Sequence, residues 1–77
     1  MTPEQCRAAR KLLGWTEKQL AEQAGTQAVT VSYVERGEGH PRTRTLVALQ
    51  TALEAGGVEF IKANGVGPSV RLRKLDS

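Results

Sequence analysis

Gln27, Ala28, Val29, Ser32 and Tyr33 bring an amide, two small apolar side chains, a hydroxyl and a phenol into one short stretch. These groups donate and accept hydrogen bonds, stack and touch methyl groups. That is the chemistry of recognition, not of bond breaking. They fall within EKQLAEQAGTQAVTVSYVERG, Glu17 to Gly37, which reads as two short helices joined by a tight turn. Ala21 supplies the small residue needed where the helices cross. Gly25 can reverse the chain at positive φ without a Cβ clash. Val31 and Val34, three apart, face inward on the second helix. Gln27 precedes that helix, Ala28 and Val29 open it, and Ser32 and Tyr33 lie on its outer side. Such an outer side can lie in the major groove of DNA.

Other chemistries find little support. No nucleophile–base pair, phosphate-cradling loop or metal-ligand set is evident, so an enzyme is not expected. With one Cys and one His there is no internal disulfide and no structural zinc site, and no cofactor is inferred. The apolar stretches are too short to span a membrane. The expectation is a soluble cytoplasmic protein, associated with the bacterial nucleoid when bound. A chain of 77 residues makes one small domain, burying only about 60% of its unfolded surface. A second subunit is the supplement left open to it. The net charge is +3, unevenly spread. Residues 1–38 hold five basic and five acidic side chains, whereas the remainder holds Arg42, Arg44, Lys62, Arg71, Arg73 and Lys74 against Glu54, Glu59 and Asp76. A basic excess just after the paired helices suits contact with phosphate.

The elements that must position these residues are mostly helical. Thr2-Pro3-Glu4-Gln5 is a helix start, with Thr as cap, Pro at the first helical position and Gln three residues after the cap. Cys6, Ala9 and Leu13 line one face with Leu12 beside them, and Gly14 ends that helix. Cys6 is read as an inert core residue. Thr16 caps the next helix with Gln19 in the capping-box position. The third spans Ala28 to Arg36 and closes at Gly37. Thr43 is expected to cap a fourth helix whose Leu46, Leu49 and Leu53 point inward, with Gly56-Gly57 as its stop. His40 is a loop residue, and Trp15 packs behind the first turn.

After residue 56 the pattern changes. Val58-Glu59-Phe60-Ile61 and Val70-Arg71-Leu72-Arg73 alternate, with KANGVGPS between them, which predicts a β-hairpin with a long loop. Val58 and Phe60 share one face, as do Val70 and Leu72, and Glu59 can meet an arginine across the ladder. Two isolated strands are barely stable in water, so the hairpin must lie on the helices or join another subunit's sheet. An unpaired edge is a template for a second copy. Val58, Phe60, Val70 and Leu72 are therefore the expected dimer interface. The division expected is a DNA-binding unit over 1–56 and a hairpin extension over 57–77.

From Thr2 to about Leu53 the chain resembles the Cro/repressor-type (XRE) family of helix-turn-helix DNA-binding proteins. The matching segments are RAARKLLGWT, QLAEQAG, VSYVERG and PRTRTLVALQTAL. GVEFI followed by NGVGPSVRLR is similar to the tail of a bacterial subgroup of small regulators in that family. The resemblance implies a mainly α fold, a bundle of four or five helices with a helix-turn-helix, here followed by a β-hairpin or strand pair. It also implies operator DNA as the partner and, commonly, a homodimer.

The resemblance assigns roles position by position. Arg10 and Glu35 would form a partly buried ion pair locking the first and third helices. Gln27, Ala28, Val29, Ser32 and Tyr33 would face base edges, with Thr30 near phosphate. Gln can bond adenine bidentately, Ala and Val can touch a thymine methyl, and no arginine is counted among these five, so the contacted positions should lean to A·T. Thr16, Lys18, Arg42 and Arg44 are expected on the DNA backbone. Two departures stand out. Glu17 replaces a glutamine that bonds phosphate in many relatives. Gln27 replaces the usual Ser or Thr cap, so the third helix would start loosely. Three functions compete. The first is a sequence-specific transcriptional regulator, a repressor. The second is an antitoxin that also holds a toxin through its tail. The third is an interaction module without DNA binding, favoured by Glu17. The short tail argues against the second, and a gel shift at low and high salt separates the third.

Overall fold

The computed structural model describes residues 1–61 and 69–73. These form α1 (Pro3–Leu12), α2 (Glu17–Ala24), α3 (Ala28–Arg36), α4 (Thr43–Ala55), β1 (Val58–Ile61) and β2 (Ser69–Leu72). Four helices and one antiparallel strand pair are therefore present among the described residues. Lys62, Lys74 and Asp76, counted in the charge balance, lie outside them, as does most of the connecting loop.

Two helices start on reciprocal caps. The Thr2 hydroxyl accepts from the Gln5 N–H at 3.1 Å while Gln5 Oε1 accepts from the Thr2 N–H at 2.9 Å. Thr16 and Gln19 repeat this at 3.0 and 2.8 Å. Each pair satisfies two amides that a helix start leaves without partners. Gly25 closes α2 at φ 72°, and the Thr26 N–H returns to the Ala21 carbonyl at 2.9 Å. This six-to-one bond fixes the turn between α2 and α3.

Three expectations shift. Arg42, not Thr43, occupies the cap position of α4. Its carbonyl already accepts from the N–H groups of Thr45 and Leu46, so the helix begins one residue earlier than a threonine cap implies. Arginine has no acceptor, so the side chain adds nothing to that cap. Leu12 is 42% exposed. At about 100° per residue it is turned away from the Cys6–Ala9–Leu13 line. The second strand runs Ser69–Leu72, one residue earlier than the alternation suggested, although the Arg73 N–H still donates to the Gly57 carbonyl at 2.6 Å.

Cys6, Ala9, Leu20, Ala21, Val31, Val34, Leu49, Ala52, Leu53 and Val58 form one core. Each fully buried Leu or Val contributes about 1.5–3 kcal/mol relative to exposure. The hairpin joins this core through Val58, which is completely buried, with Phe60 and Val70 packed against it. Its register pairs Val58 with Leu72, Glu59 with Arg71, Phe60 with Val70 and Ile61 with Ser69. The strand pair lies on α1 and α4, and Gln5 Nε2 donates to the Ser69 carbonyl at 3.2 Å. Arg71 meets Glu59 through two 3.2 Å bonds across the ladder. That exposed pair contributes about 0.2–1 kcal/mol.

A second long-range link joins α1 to α3. Arg10 Nε lies 2.7 Å from Glu35 Oε2 and Arg10 Nη2 lies 2.9 Å from Oε1, a bidentate fork. Arg10 Nη1 also donates to the Trp15 carbonyl at 3.0 Å, tying in the α1–α2 turn. The Glu35 side chain is 5% exposed and that of Arg10 15%. The hydrogen bond to Glu35, opposed in part by burial, raises the Arg10 pKa above its ordinary value. Burial, with the neighbouring Glu35 carboxylate, pushes the Cys6 thiol up to about 12. Cys6 is thus neutral and enclosed beside the pair.

Truncating one partner of such a pair strands the other. Glu35→Ala is expected to cost about 3 kcal/mol in urea unfolding, the lower end for a buried pair because water still reaches Arg10. A loss below about 1 kcal/mol would reduce it to an ordinary surface contact. A separate test concerns the end of α4. A Cβ on Gly56 would come within 2.8 Å of both Leu13 and the Trp15 indole. Gly56→Ala should therefore lower stability by about 1–3 kcal/mol through overpacking. An unchanged melting temperature would contradict the placement of Trp15.

Candidate nucleic-acid interface

The buried side of α3 is Val31, Val34 and Glu35. With those three fixed inward, the helical period turns Val29, Tyr33 and Arg36 outward and leaves Thr30 and Ser32 at the margins. Gln27, Ala28, Val29 and Tyr33 are exposed, and Thr30 and Ser32 are partly buried. Val29 and Tyr33 are about half exposed on this face. With its side chains an α-helix is about 10–12 Å across, which fits a major groove about 12 Å wide.

Gln27 sits in extended conformation at the start of α3 and makes no side-chain cap bond. Its amide is thus free for another partner, and the first amides of α3 have no side-chain acceptor. Thr16 and Lys18 stand at the start of α2, and Arg42 and Arg44 at the start of α4. Lys18, Arg42 and Arg44 are exposed and make no ion pair among the described residues. The Thr16 hydroxyl accepts its cap bond from Gln19. A recess of about 350 Å³ is lined by Thr30, Tyr33, Val34, Glu38, Gly39, His40 and Pro41. It joins the α3 face to the loop that delivers Arg42. A larger groove of about 530 Å³ lies between the end of α2 and α4, and no α3 residue lines it.

Glu17 is partly buried, and its charge raises the pKa of Arg10. It sits in the first turn of α2, where a carboxylate suits the helix dipole. Of the four strand residues, Val58 is enclosed by the protein's own helices, Phe60 and Val70 are partly exposed, and Leu72 is half exposed. The side chain that sequence reading passed over is Arg36. It lies three residues after Tyr33 and seven after Val29, a helical spacing visible in the sequence. Its guanidinium stands 5.5 Å from the Tyr33 ring centre, and Nη2 is 3.7 Å from Glu38 Oε2.

The face thus presents an amide, a hydroxyl, a phenol, methyl groups and a guanidinium on one rigid helix, with unpaired cations on neighbouring elements. Such a set can bind an extended anionic polymer and read the edges of its bases. No helix among the described residues is long and apolar enough to cross a membrane. No curated protein matches the chain. The family model described as Helix-turn-helix matches residues 7–60, more than two-thirds of the sequence and all of α2 and α3. The chain belongs to the Cro/repressor-type helix-turn-helix family of DNA-binding regulators.

Proposed function

We propose that the protein is a sequence-specific transcriptional repressor that binds double-stranded DNA as a homodimer, with α3 in the major groove. The observation that carries this reading is the uncovered outer face of α3, where Val29 and Tyr33 stand half exposed beside an uncapped Gln27. Gln27, Ala28, Val29, Ser32 and Tyr33 face base edges and favour A·T pairs. Thr16, Lys18, Thr30, Arg42 and Arg44 hold the backbone and fix the register. Glu17, near Arg10, takes a structural role in place of a phosphate contact.

The second subunit would bind through the hairpin. The Arg73–Gly57 bond sets the alternation of the ladder, so the peptide groups of Val70 and Leu72 turn away from β1. An edge of that kind, beside a half-exposed Leu72, is suited to pair with a second copy. Two modules then meet half-sites about 34 Å apart.

Selection of bound duplexes from a random pool should return a symmetric site with half-sites one helical turn apart, and a pool without enrichment would overturn the reading. Arg44→Ala should weaken binding about equally for all sequences and flatten the salt dependence by about one unit. Leu72→Asp, at an exposed position, should shift the protein to monomer in sedimentation while leaving its helical content intact. A variant that remains dimeric would move the interface elsewhere.

A further inference from the structure

We propose that Arg36 reads a guanine at the far end of the half-site, carried on the Tyr33 ring and steered by Glu38. This rests on the placement of α3 in the major groove and adds a G·C pair to a site otherwise leaning to A·T.

Position is the first argument. At about 100° per residue, Arg36 lies roughly 20° from Val29 around the helix, between Ser32 and Tyr33. It is therefore at the centre of the outward stripe, about 10 Å further along the axis than Val29. A helix that enters the groove by its N-terminal end, with Val29 at the floor, carries Arg36 on the same side two turns back, from where its long side chain reaches towards a base edge.

The second argument is how the guanidinium is held. The Arg36 guanidinium carbon lies over the Tyr33 ring, 5.5 Å from its centre. This cation–π contact restrains the side chain, which is more than half exposed, without using its N–H donors in hydrogen bonds. Among the described residues the Arg36 guanidinium makes no hydrogen bond, and its approach to Glu38 at 3.7 Å is an ion pair beyond hydrogen-bond range. The fork that matches guanine O6 and N7 is thus unspent.

The third argument separates base from phosphate. Glu38 lies within ion-pair range of Arg36 and would itself be repelled by a nearby phosphate. A neutral base edge meets no such repulsion, and the hydrogen-bonding fork of Arg36 stays available to it. Arg42 and Arg44 have no such carboxylate within ion-pair range among the described residues. The three arginines divide accordingly, two for the backbone and one for a base.

The test compares selected sites for the wild type, Arg36→Ala and Arg36→Lys. The wild type should show a guanine at one position of each half-site. Arg36→Ala should lose that preference alone, binding the selected site roughly 10- to 100-fold more weakly and its A·T-substituted version about as well as the wild type does. Arg36→Lys should recover only part of the discrimination. Replacing that guanine by 7-deazaguanine removes N7 without altering the protein, and should weaken wild-type binding several-fold. A loss in Arg36→Ala that is uniform over all sequences, with a salt slope shallower by about one, would make Arg36 a phosphate contact and overturn the proposal. So would an unchanged preference. An enriched site without guanine would refute this assignment while leaving DNA binding intact, whereas no enrichment at all would remove the groove placement on which it stands.

Discussion

The fork between Arg10 and Glu35 decides which way α3 faces. Glu35 must point inward to receive two guanidinium bonds at 2.7 and 2.9 Å. Once it does, the helical period sends Val31 and Val34 into the core and Val29, Tyr33 and Arg36 outward. An apolar contact in this position would tolerate some rotation of the helix, because hydrophobic burial has no direction. A bidentate ion pair does not. The pair also restrains the neighbourhood, since Arg10 holds the Trp15 carbonyl, Arg7 donates to the Glu35 carbonyl at 3.3 Å, and Cys6 lies beside the carboxylate. Its desolvation cost is met by hydrogen bonds on both partners, and no buried side-chain polar atom lacks a partner among the described residues.

The rest of the structure compensates for small size. Ten of the described residues make the buried apolar core, and several of them are alanine or valine. Little enclosed volume is spare, so the hairpin becomes part of the core instead of an appendage. Val58 enters it fully, Phe60 and Val70 cover it, and Gln5 anchors the second strand. Trp15 lies against Gly56 because nothing larger fits there, which closes the end of α4 over the first turn. These contacts leave the outer face of α3 without any internal duty.

Much of this was legible in the residues. Thr2 with Gln5 and Thr16 with Gln19 announce helix starts, because reciprocal caps depend only on local chemistry. Gly14, Gly25 and Gly37 mark the stops for the same reason, and the alternation correctly puts Val58 with Phe60 and Val70 with Leu72 on shared faces and an arginine opposite Glu59. The start of α4 was less legible. A threonine is the better capper, but the backbone turn there is set by the carbonyl of Arg42. Leu12, read as lying beside the inward face, is instead exposed, because Leu13 holds the inward position and only one of two neighbours can. The depth of Val58 depends on where the helices place the hairpin, which no local pattern states. At the candidate site, Gln27 to Tyr33 followed from the inward valines and the family resemblance. Arg36 was passed over although its spacing from Val29 and Tyr33 is visible in the sequence; only its approach to Glu38 depends on side-chain placement beyond the turn that ends the helix.

One side chain links the two extremes of the described fold. Gln5 completes the cap at Thr2 with its carbonyl oxygen and holds Ser69 with its amide nitrogen. Opening the first turn of α1 therefore removes one of the bonds that hold the second strand, and losing that strand frees the amide that completes the cap. The stability of the first helical turn is in this way coupled to a strand some sixty residues further along the chain.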